Sequence, residues 1–519
     1  MSRTAGPAHP AGFVHAADGV LRDGDGGPLT LRGVGLGNWL LPEGYMWRFP
    51  EQAGSPREIE ALIRGLVGDE RADCFWTGFR DRFIAEEDIE RIAAEGFNHV
   101  RLPINWRIVM DEDGEPLADG FALIDRLIDW CRAYGLWVLL DLHGAPGGQT
   151  GTNIDDSPRR RPELFELPRY RELTFRVWTL LARRYAEEPT VCGYDLLNEP
   201  LPDAYQHRYA DRLSRLHQDL TAAIRAVDPC HLIVYEGTHW ATNWDIFTGI
   251  WDPNSMLQFH KYWSPPDLPG IRPYLETGER LGLPVYMGEG GENDLDWLQT
   301  AFQLYDDCGI SWNFWPWKKL DTTTSPCSAD RPPGWDAILA WAAGNGPPPP
   351  AERAWQTLTG LLERVAFDRC RYRTEVVNAV LRRAPLRLPA TGFTFRGKGV
   401  SYETARNRPL PYFRPDDHVT IRRRDGSPKE VDFTRGAQGQ LVVELAPGDW
   451  VAYEVNTDRP AALQIGAEST GRVTVRIDHA EAPAAGGGSG PVPAGRHEVR
   501  LTAVTPTVLR TVTVGMTEV

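Results

Sequence analysis

Two glutamates stand in this sequence where they can work as a pair: Glu199 in YDLLNEP (194–200) and Glu289 in YMGEGG (286–291). Each closes a short apolar run. A charged residue there is costly for a core and useful for a site. Two carboxyl groups facing one cavity are what glycoside hydrolysis requires: one protonated to assist the leaving oxygen, the other ionised to attack the anomeric carbon. At a separation of about 5–5.5 Å, the outcome is retention through a glycosyl-enzyme. The neighbours fit that division. Arg101 and Tyr262 can donate hydrogen bonds to Glu289 and hold its pKa low, while Glu199, with fewer cationic neighbours, can stay protonated. Asn198 is placed to bond the sugar 2-hydroxyl, a contact that strengthens in the transition state.

Each residue also has a plainer reading. Glu199 can be a charge at a helix start, Glu289 a turn residue, His143 and His260 hydrogen-bonded structural histidines, and Arg101 a loop anchor. What the plain readings leave unexplained is their arrival together at the ends of successive apolar runs. Glu236 and Glu292 lie nearby and are given no catalytic role. No metal site and no cofactor are expected, because the histidines are too dispersed for a recognised ligand spacing.

The elements that must carry these residues alternate. The expected strands are 29–37, 97–103, 136–143, 192–198, 231–237, 256–262, 284–290 and 310–317. Near-continuous apolar runs suit strands covered on both faces. Between them lie helical patterns such as IDRLIDWCRAYG (124–135), with Ile124, Leu127, Ile128 and Cys131 on one face and Gly135 at the stop. Further helices are expected over 170–188 and 205–227. Strands alternating with helices form a doubly wound sheet or a closed barrel. GVGLGNW is not a G-x-G-x-x-G phosphate loop, so the sequence predicts an α/β fold of the (β/α)8 TIM-barrel kind. A barrel seats its site at the C-terminal strand ends, where these residues fall.

The polyproline break GNGPPPPAER (344–353) is followed by a helical stretch over 354–381. Past about residue 385, short alternating runs (VTIRRRD, LVVELAPGDWVAYEV, RVTVRIDHA, HEVRLTAV) predict a small antiparallel β-sandwich. AAGGGSGPVPAG (484–495) reads as a loop or hairpin within it. The expected domains are a catalytic barrel, 1–384, and an accessory sandwich, 385–519.

A formal charge of -15 sets nucleic acid aside as a partner. No apolar run reaches the about 18 residues of a membrane span. The 19 Trp offer flat faces suited to sugar rings, although large domains bury Trp as well. Seven scattered Cys without metal spacing, and an N-terminus without an apolar leader core, point to a reducing, cytoplasmic setting.

At GVGLGNW, NHVRLPINW, WVLLDLHGAPGG, YDLLNEP, QFHKY, YMGEGG and WNFWPWKK the chain resembles glycoside hydrolase family 5, of the clan of retaining (β/α)8 hydrolases, over residues 30–320. The resemblance implies an active-site set of Arg101, His143, Asn198, Glu199, His260, Tyr262, Glu289 and Trp315. Within the family, LDLHGAPGGQTGTNIDDS and GNWLLPEGYMW are similar to the exo-β-1,3-glucanase branch, which implies that Glu43 grips hydroxyls of a terminal sugar. The loop 46–65 departs from that branch, and related enzymes include β-mannosidases and enzymes of glycolipids and plant glycosides. GDWVAYEVNTDRPAALQIGAES (448–469) is similar to a phrase of carbohydrate-binding sandwich modules, but its aromatic residues are few, and a supporting domain is the expected role.

The expectation is a retaining, exo-acting β-D-glycosidase releasing a terminal β-glucoside or β-mannoside from a carbohydrate substrate. The alternatives are an endo-acting β-glucanase or mannanase and a non-catalytic carbohydrate-binding protein.

Overall fold

The computed structural model describes residues 12–405, 407–434, 436–478, 480–482 and 488–517. The N-terminal residues 1–11 and the first part of the 484–495 loop lie outside the described residues. The rest of that loop holds a strand, Gly488–Val492.

Eight parallel strands close a barrel in the order the sequence predicts. They are β1 (Arg32–Gly35), β2 (His99–Asn105), β3 (Trp137–Gly144), β4 (Val191–Asp195), β5 (Leu232–Glu236), β6 (Ser255–Lys261), β7 (Val285–Gly291) and β8 (Ser311–Trp315). β2 to β5 are buried at every position, because one face of each strand lines the interior and the other is covered by helices. The helix Ala118–Tyr134 buries Ile124, Leu127, Ile128 and Cys131 and stops at Gly135, whose φ of 72° is the left-handed turn glycine allows. Helices Pro168–Tyr185 and Ala210–Arg225 follow the expected pattern.

At the opposite end from the strand tips, an N-terminal hairpin closes the barrel. Val14, Leu21 and Leu31 pack with Trp137, Leu139, Cys192, Leu232, Val234, Met256 and Tyr286 in one buried cluster. That leaves the C-terminal tips as the open end.

The helical stretch expected over 354–381 is interrupted. A helix ends at Arg364, residues Arg371–Tyr372 pair as a strand with Cys327–Ala329, and a second helix runs Thr374–Leu381. Long-range pairing overrides local propensity here: the Tyr372 hydroxyl bonds Glu95 at 2.6 Å, and Arg91 lies over its ring at 4.1 Å.

The chain divides into two compact units. One comprises Met1–His260, Glu276–Gly290 and Ser311–Tyr372; the other comprises Lys261–Leu275, Gly291–Ile310 and Arg373–Val519. The second unit holds two antiparallel sheets of six and five strands. It also takes in two segments from between barrel strands, bound by Asn293 Nδ2 donating to the Phe433 carbonyl (2.9 Å), Gln438 Nε2 to the Asp296 carbonyl (3.0 Å) and the Arg414 amide to Asp267 (3.0 Å). Its aromatic residues turn largely inward. Tyr453 and Phe413 are buried, and Trp450 is covered by Arg500 at 3.8 Å. No described helix is long and apolar enough to cross a membrane. The cysteines are free thiols, with Cys131, Cys192 and Cys327 buried.

Candidate active site

Arg101 reaches inward from β2 and is fully buried. Its guanidinium donates to Glu289 Oε1 at 2.5 Å, Asp195 Oδ2 at 2.8 Å, Asn198 Oδ1 at 2.9 Å and Glu236 Oε1 at 3.2 Å, and lies 3.1 Å from Asp141 Oδ2. One cation therefore ties together the tips of β3, β4, β5 and β7. Inward-facing residues recur every second position along a strand. This is why Asp141 stands beneath His143, and Gln258 beneath His260.

The two histidines flank the arginine. His143 Nδ1 contacts Asp141 at 2.7 Å, and its Nε2 lies 3.2 Å from Asn198 Nδ2 and 4.0 Å from Glu43 Oε1. His260 Nδ1 contacts Glu199 Oε1 at 2.7 Å and lies 3.6 Å from Glu289 Oε2. One ligand-type atom from each of Glu199, His260 and Glu289 falls within 4.8 Å of the others. The same three groups are where a divalent cation would bind, but Arg101 already occupies one Glu289 oxygen and opposes a second positive charge.

The environments of the two glutamates push them apart. Burial raises the Glu199 carboxyl above the usual range, and the neighbouring Glu289 and Glu236 add to that, against the opposing pull of His260. Burial would raise Glu289 too, but His260, Arg101 and His143 outweigh it and hold the carboxyl below the usual range. His260 is driven well above its ordinary value: burial opposes the charge, and Glu236 and Glu289 overcome it. Burial also raises Asp141 and Asp195. The two glutamates are thus shifted in opposite directions, Glu199 upward and Glu289 downward.

Trp315 ends β8 with its ring parallel to His143, centroids 5.5 Å apart and planes 5° off, and its Nε1 donates to the Tyr45 hydroxyl at 3.0 Å. The glycines of GVGLG make room for it: a Cβ on Gly35 would lie 2.4 Å from the indole, and one on Gly37 2.5 Å. Trp312 is buried, and Trp317 bonds Asp88 at 2.8 Å, so of the three it is Trp315 that stands beside the site histidine.

The structure thus brings together Glu43, Arg101, His143, Asn198, Glu199, His260, Glu289 and Trp315. Tyr262 falls in the second unit, its ring tilted by 33° against that of Trp263 with centroids 5.2 Å apart. Glu292 is in that unit as well. Sequence reasoning missed Asp141 and Gln258, whose signal was their place two residues before His143 and His260 on the same inward face, and Asp195, which ends β4. His239 and Trp240 follow β5. With Ala241 they form a run of three left-handed residues (φ 53°, 52° and 65°), joined to the loop after Glu199 by the His239 amide donating to Leu201 O at 2.8 Å. Such backbone strain gathers at binding sites.

The loop after β3 is held rigid. Asp155 accepts from the amides of Thr150, Gly151 and Ser157 at 2.6, 2.9 and 3.0 Å. Asp156 pairs with Arg57 at 3.0 Å and Arg107 at 2.7 Å, which bolts this loop to the 46–65 insert.

The family model described as cellulase (glycosyl hydrolase family 5) matches residues 67–321. A beta-xylosidase of Phanerodontia chrysosporium is 29% identical over 339 residues, covering 57% of this chain and 69% of that protein. A probable glucan 1,3-beta-glucosidase A of Emericella nidulans is 35% identical over 240 residues, 45% of this chain. The chain spans only 57% of the length of that glucosidase. Among solved structures, an endogalactoceramidase crystal structure matches 97% of this chain and 99% of its own with a TM-score of 0.51 and 16% identity, a likeness of fold.

Proposed function

The barrel segment of the chain, residues 67–321, belongs to glycosyl hydrolase family 5, and from that premise we propose that the protein is a retaining, exo-acting β-D-glycosidase with Glu289 as nucleophile and Glu199 as acid/base. The observation that carries the reading is the pair itself: an oxygen of each carboxyl lies within 4.8 Å of the other, with burial raising the pKa of Glu199 and the neighbouring cations lowering that of Glu289. That proximity is in keeping with the about 5–5.5 Å of retaining enzymes rather than the about 6.5–9.5 Å that admits an attacking water.

In the reaction, Glu289 Oε2 attacks the anomeric carbon while the Glu199 proton passes to the leaving oxygen. Arg101 keeps the nucleophile ionised and aimed by binding its Oε1. Charge on Glu289 is consumed as the glycosyl-enzyme forms. Glu199, now ionised, then takes a proton from the incoming water. Asn198, held by Arg101 and beside His143, meets the 2-hydroxyl, and Trp315 supports the apolar face of the ring.

Exo action is supported by Glu43 beside His143 and by the braced loop after β3, which together suit a walled glycone end. The aglycone then leaves past Glu199, toward the strained loop that presents His239 and Trp240. Glucose is the proposed glycone, supported by the name of the glucan 1,3-beta-glucosidase relative. A supporting role is proposed for the sandwich, in keeping with its inward aromatic residues.

The test is a panel of nitrophenyl β-glucoside, β-mannoside, β-xyloside and their α-anomers, followed by proton NMR of the first-formed sugar. Hydrolysis of the β-glucoside with β-glucose appearing first is expected. First-formed α-glucose would overturn retention, and mixed oligomers from a long β-glucan would overturn exo action.

A further inference from the structure

Glu236, the last residue of β5, neither attacks nor protonates in this reaction, yet the donors of the site converge on it. Its Oε2 accepts the backbone N–H of Glu199 at 2.6 Å. Its Oε1 accepts from Arg101 Nη2 at 3.2 Å and from Gln258 Nε2, and lies 3.4 Å from His260 Nε2. The side chain is completely buried.

Two of these contacts lead to Glu199. Its backbone has φ 43°, a left-handed conformation that a non-glycine residue keeps only where its surroundings impose it. The Glu236 hydrogen bond falls on the amide of that very residue. At the other end, His260 joins the Glu236 carboxyl through Nε2 and the Glu199 carboxyl through Nδ1, at 2.7 Å. We propose that Glu236 is the positioning residue of the acid/base, gripping Glu199 directly at its backbone and, through the His260 ring, at its carboxyl. This rests on the reading of Glu199 as proton donor.

The chemistry requires a carboxylate. Every partner of both oxygens is a donor, so the group must accept at both. An amide of the same shape would turn N–H bonds toward at least one of those donors, leaving buried polar groups unpaired. The site also keeps Glu236 ionised: burial opposes the charge, but His260, Arg101 and the Glu199 amide outweigh it and lower its pKa. Aspartate would preserve the charge while withdrawing the oxygens by one methylene, so it is the conservative variant.

The experiment compares wild type, Glu236→Gln, Glu236→Asp and Glu199→Ala on 2,4-dinitrophenyl β-glucoside, whose leaving group needs little acid, and on phenyl β-glucoside, which needs much. The readout is the ratio of the two kcat/KM values, which does not depend on the fraction of each preparation that is folded. Glu236→Gln is expected to lose about 100-fold on the phenyl glycoside and under about tenfold on the dinitrophenyl one, with Glu236→Asp between wild type and Glu236→Gln. Equal losses on both substrates, or none, would overturn the positioning role. If Glu199→Ala is leaving-group-dependent and Glu236→Gln is not, only this inference fails. If Glu199→Ala is itself indifferent to the leaving group, the proton-donor reading fails and this inference with it.

Discussion

Arg101 in the barrel unit and Arg414 in the second unit are both buried guanidinium groups, and they are satisfied in opposite ways. Arg414 meets one acid, Asp417, and spends its other donors on the carbonyls of Thr391, Phe393 and Thr394 at 2.7–2.9 Å, with the rings of Phe393 and Phe395 lying 3.5 and 3.9 Å from its Cζ. One charge meets one charge. Arg101 meets four acids, Asp141, Asp195, Glu236 and Glu289. Asp141 Oδ1 and Asp195 Oδ1 are left buried without a hydrogen-bond partner. The acids outnumber the cation, and proton binding is favoured in response: burial raises Asp141 and Asp195, and Glu236 and Glu289 hold His260 well above its ordinary value against its burial. A structural arginine is saturated by its surroundings, whereas a site arginine is oversupplied, and the protons that restore the balance are the ones available for chemistry.

Removing each cation in turn separates the two roles. Arg101→Met is expected to lower kcat/KM by more than about 10³-fold and to destabilise the fold by about 3–5 kcal/mol, since it leaves buried acids facing one another. Arg414→Met is expected to cost a similar about 3–5 kcal/mol in denaturant unfolding. The kcat/KM of the protein that remains folded should be nearly unchanged. Loss of turnover in Arg414→Met without loss of stability would erase the distinction.

The proton balance makes a second, smaller prediction. Glu289 titrates below the usual carboxylate range and Glu199 above it. Turnover therefore rises as pH climbs past the nucleophile and falls as pH climbs past the acid, giving a bell in kcat/KM. In Glu199→Gln, measured on an activated aryl glycoside, the alkaline limb should vanish and the acid limb stay. An unchanged alkaline limb would assign it to another group.

The smallest effect belongs to the second unit. Burial raises Asp296 to about 6, against the pull of the nearby Arg387. Its folded pKa lies above its unfolded one, so the stability it contributes is complete below about pH 4 and is lost as pH rises through about 6. Calorimetry should show the melting temperature declining over that window, and Asp296→Asn should flatten the decline.

Much of this was legible in the sequence for physical reasons. The eight strands stood out because strands covered on both faces must be apolar throughout, and Glu199 and Glu289 stood out because they break that rule at the tips. The supporting carboxyls were harder to see. Asp141 and Asp195 sit inside the same runs, and nothing local says that they face Arg101 from neighbouring strands. Which of three closely spaced tryptophans stands beside His143 depends on where their rings point, and the Gly35 and Gly37 clearances that admit Trp315 exist only in three dimensions. The break at Arg371–Tyr372 and the joining of Gly291–Ile310 to the sandwich both depend on distant partners: Cys327 pairs with Tyr372, and Asn293 bonds a carbonyl 140 residues away. Periodicity cannot register such contacts.

Glu289 is proposed to carry the sugar between the two steps. The most direct measurement is to incubate the protein with 2,4-dinitrophenyl 2-deoxy-2-fluoro-β-glucoside, which forms the glycosyl-enzyme readily but hydrolyses it slowly, and to map the adduct by peptide mass spectrometry. One fluoroglucosyl group per chain is expected, located on Glu289 and lost in Glu289→Gln. An adduct on another residue, or the release of dinitrophenol in steady turnover by Glu289→Gln, would contradict it.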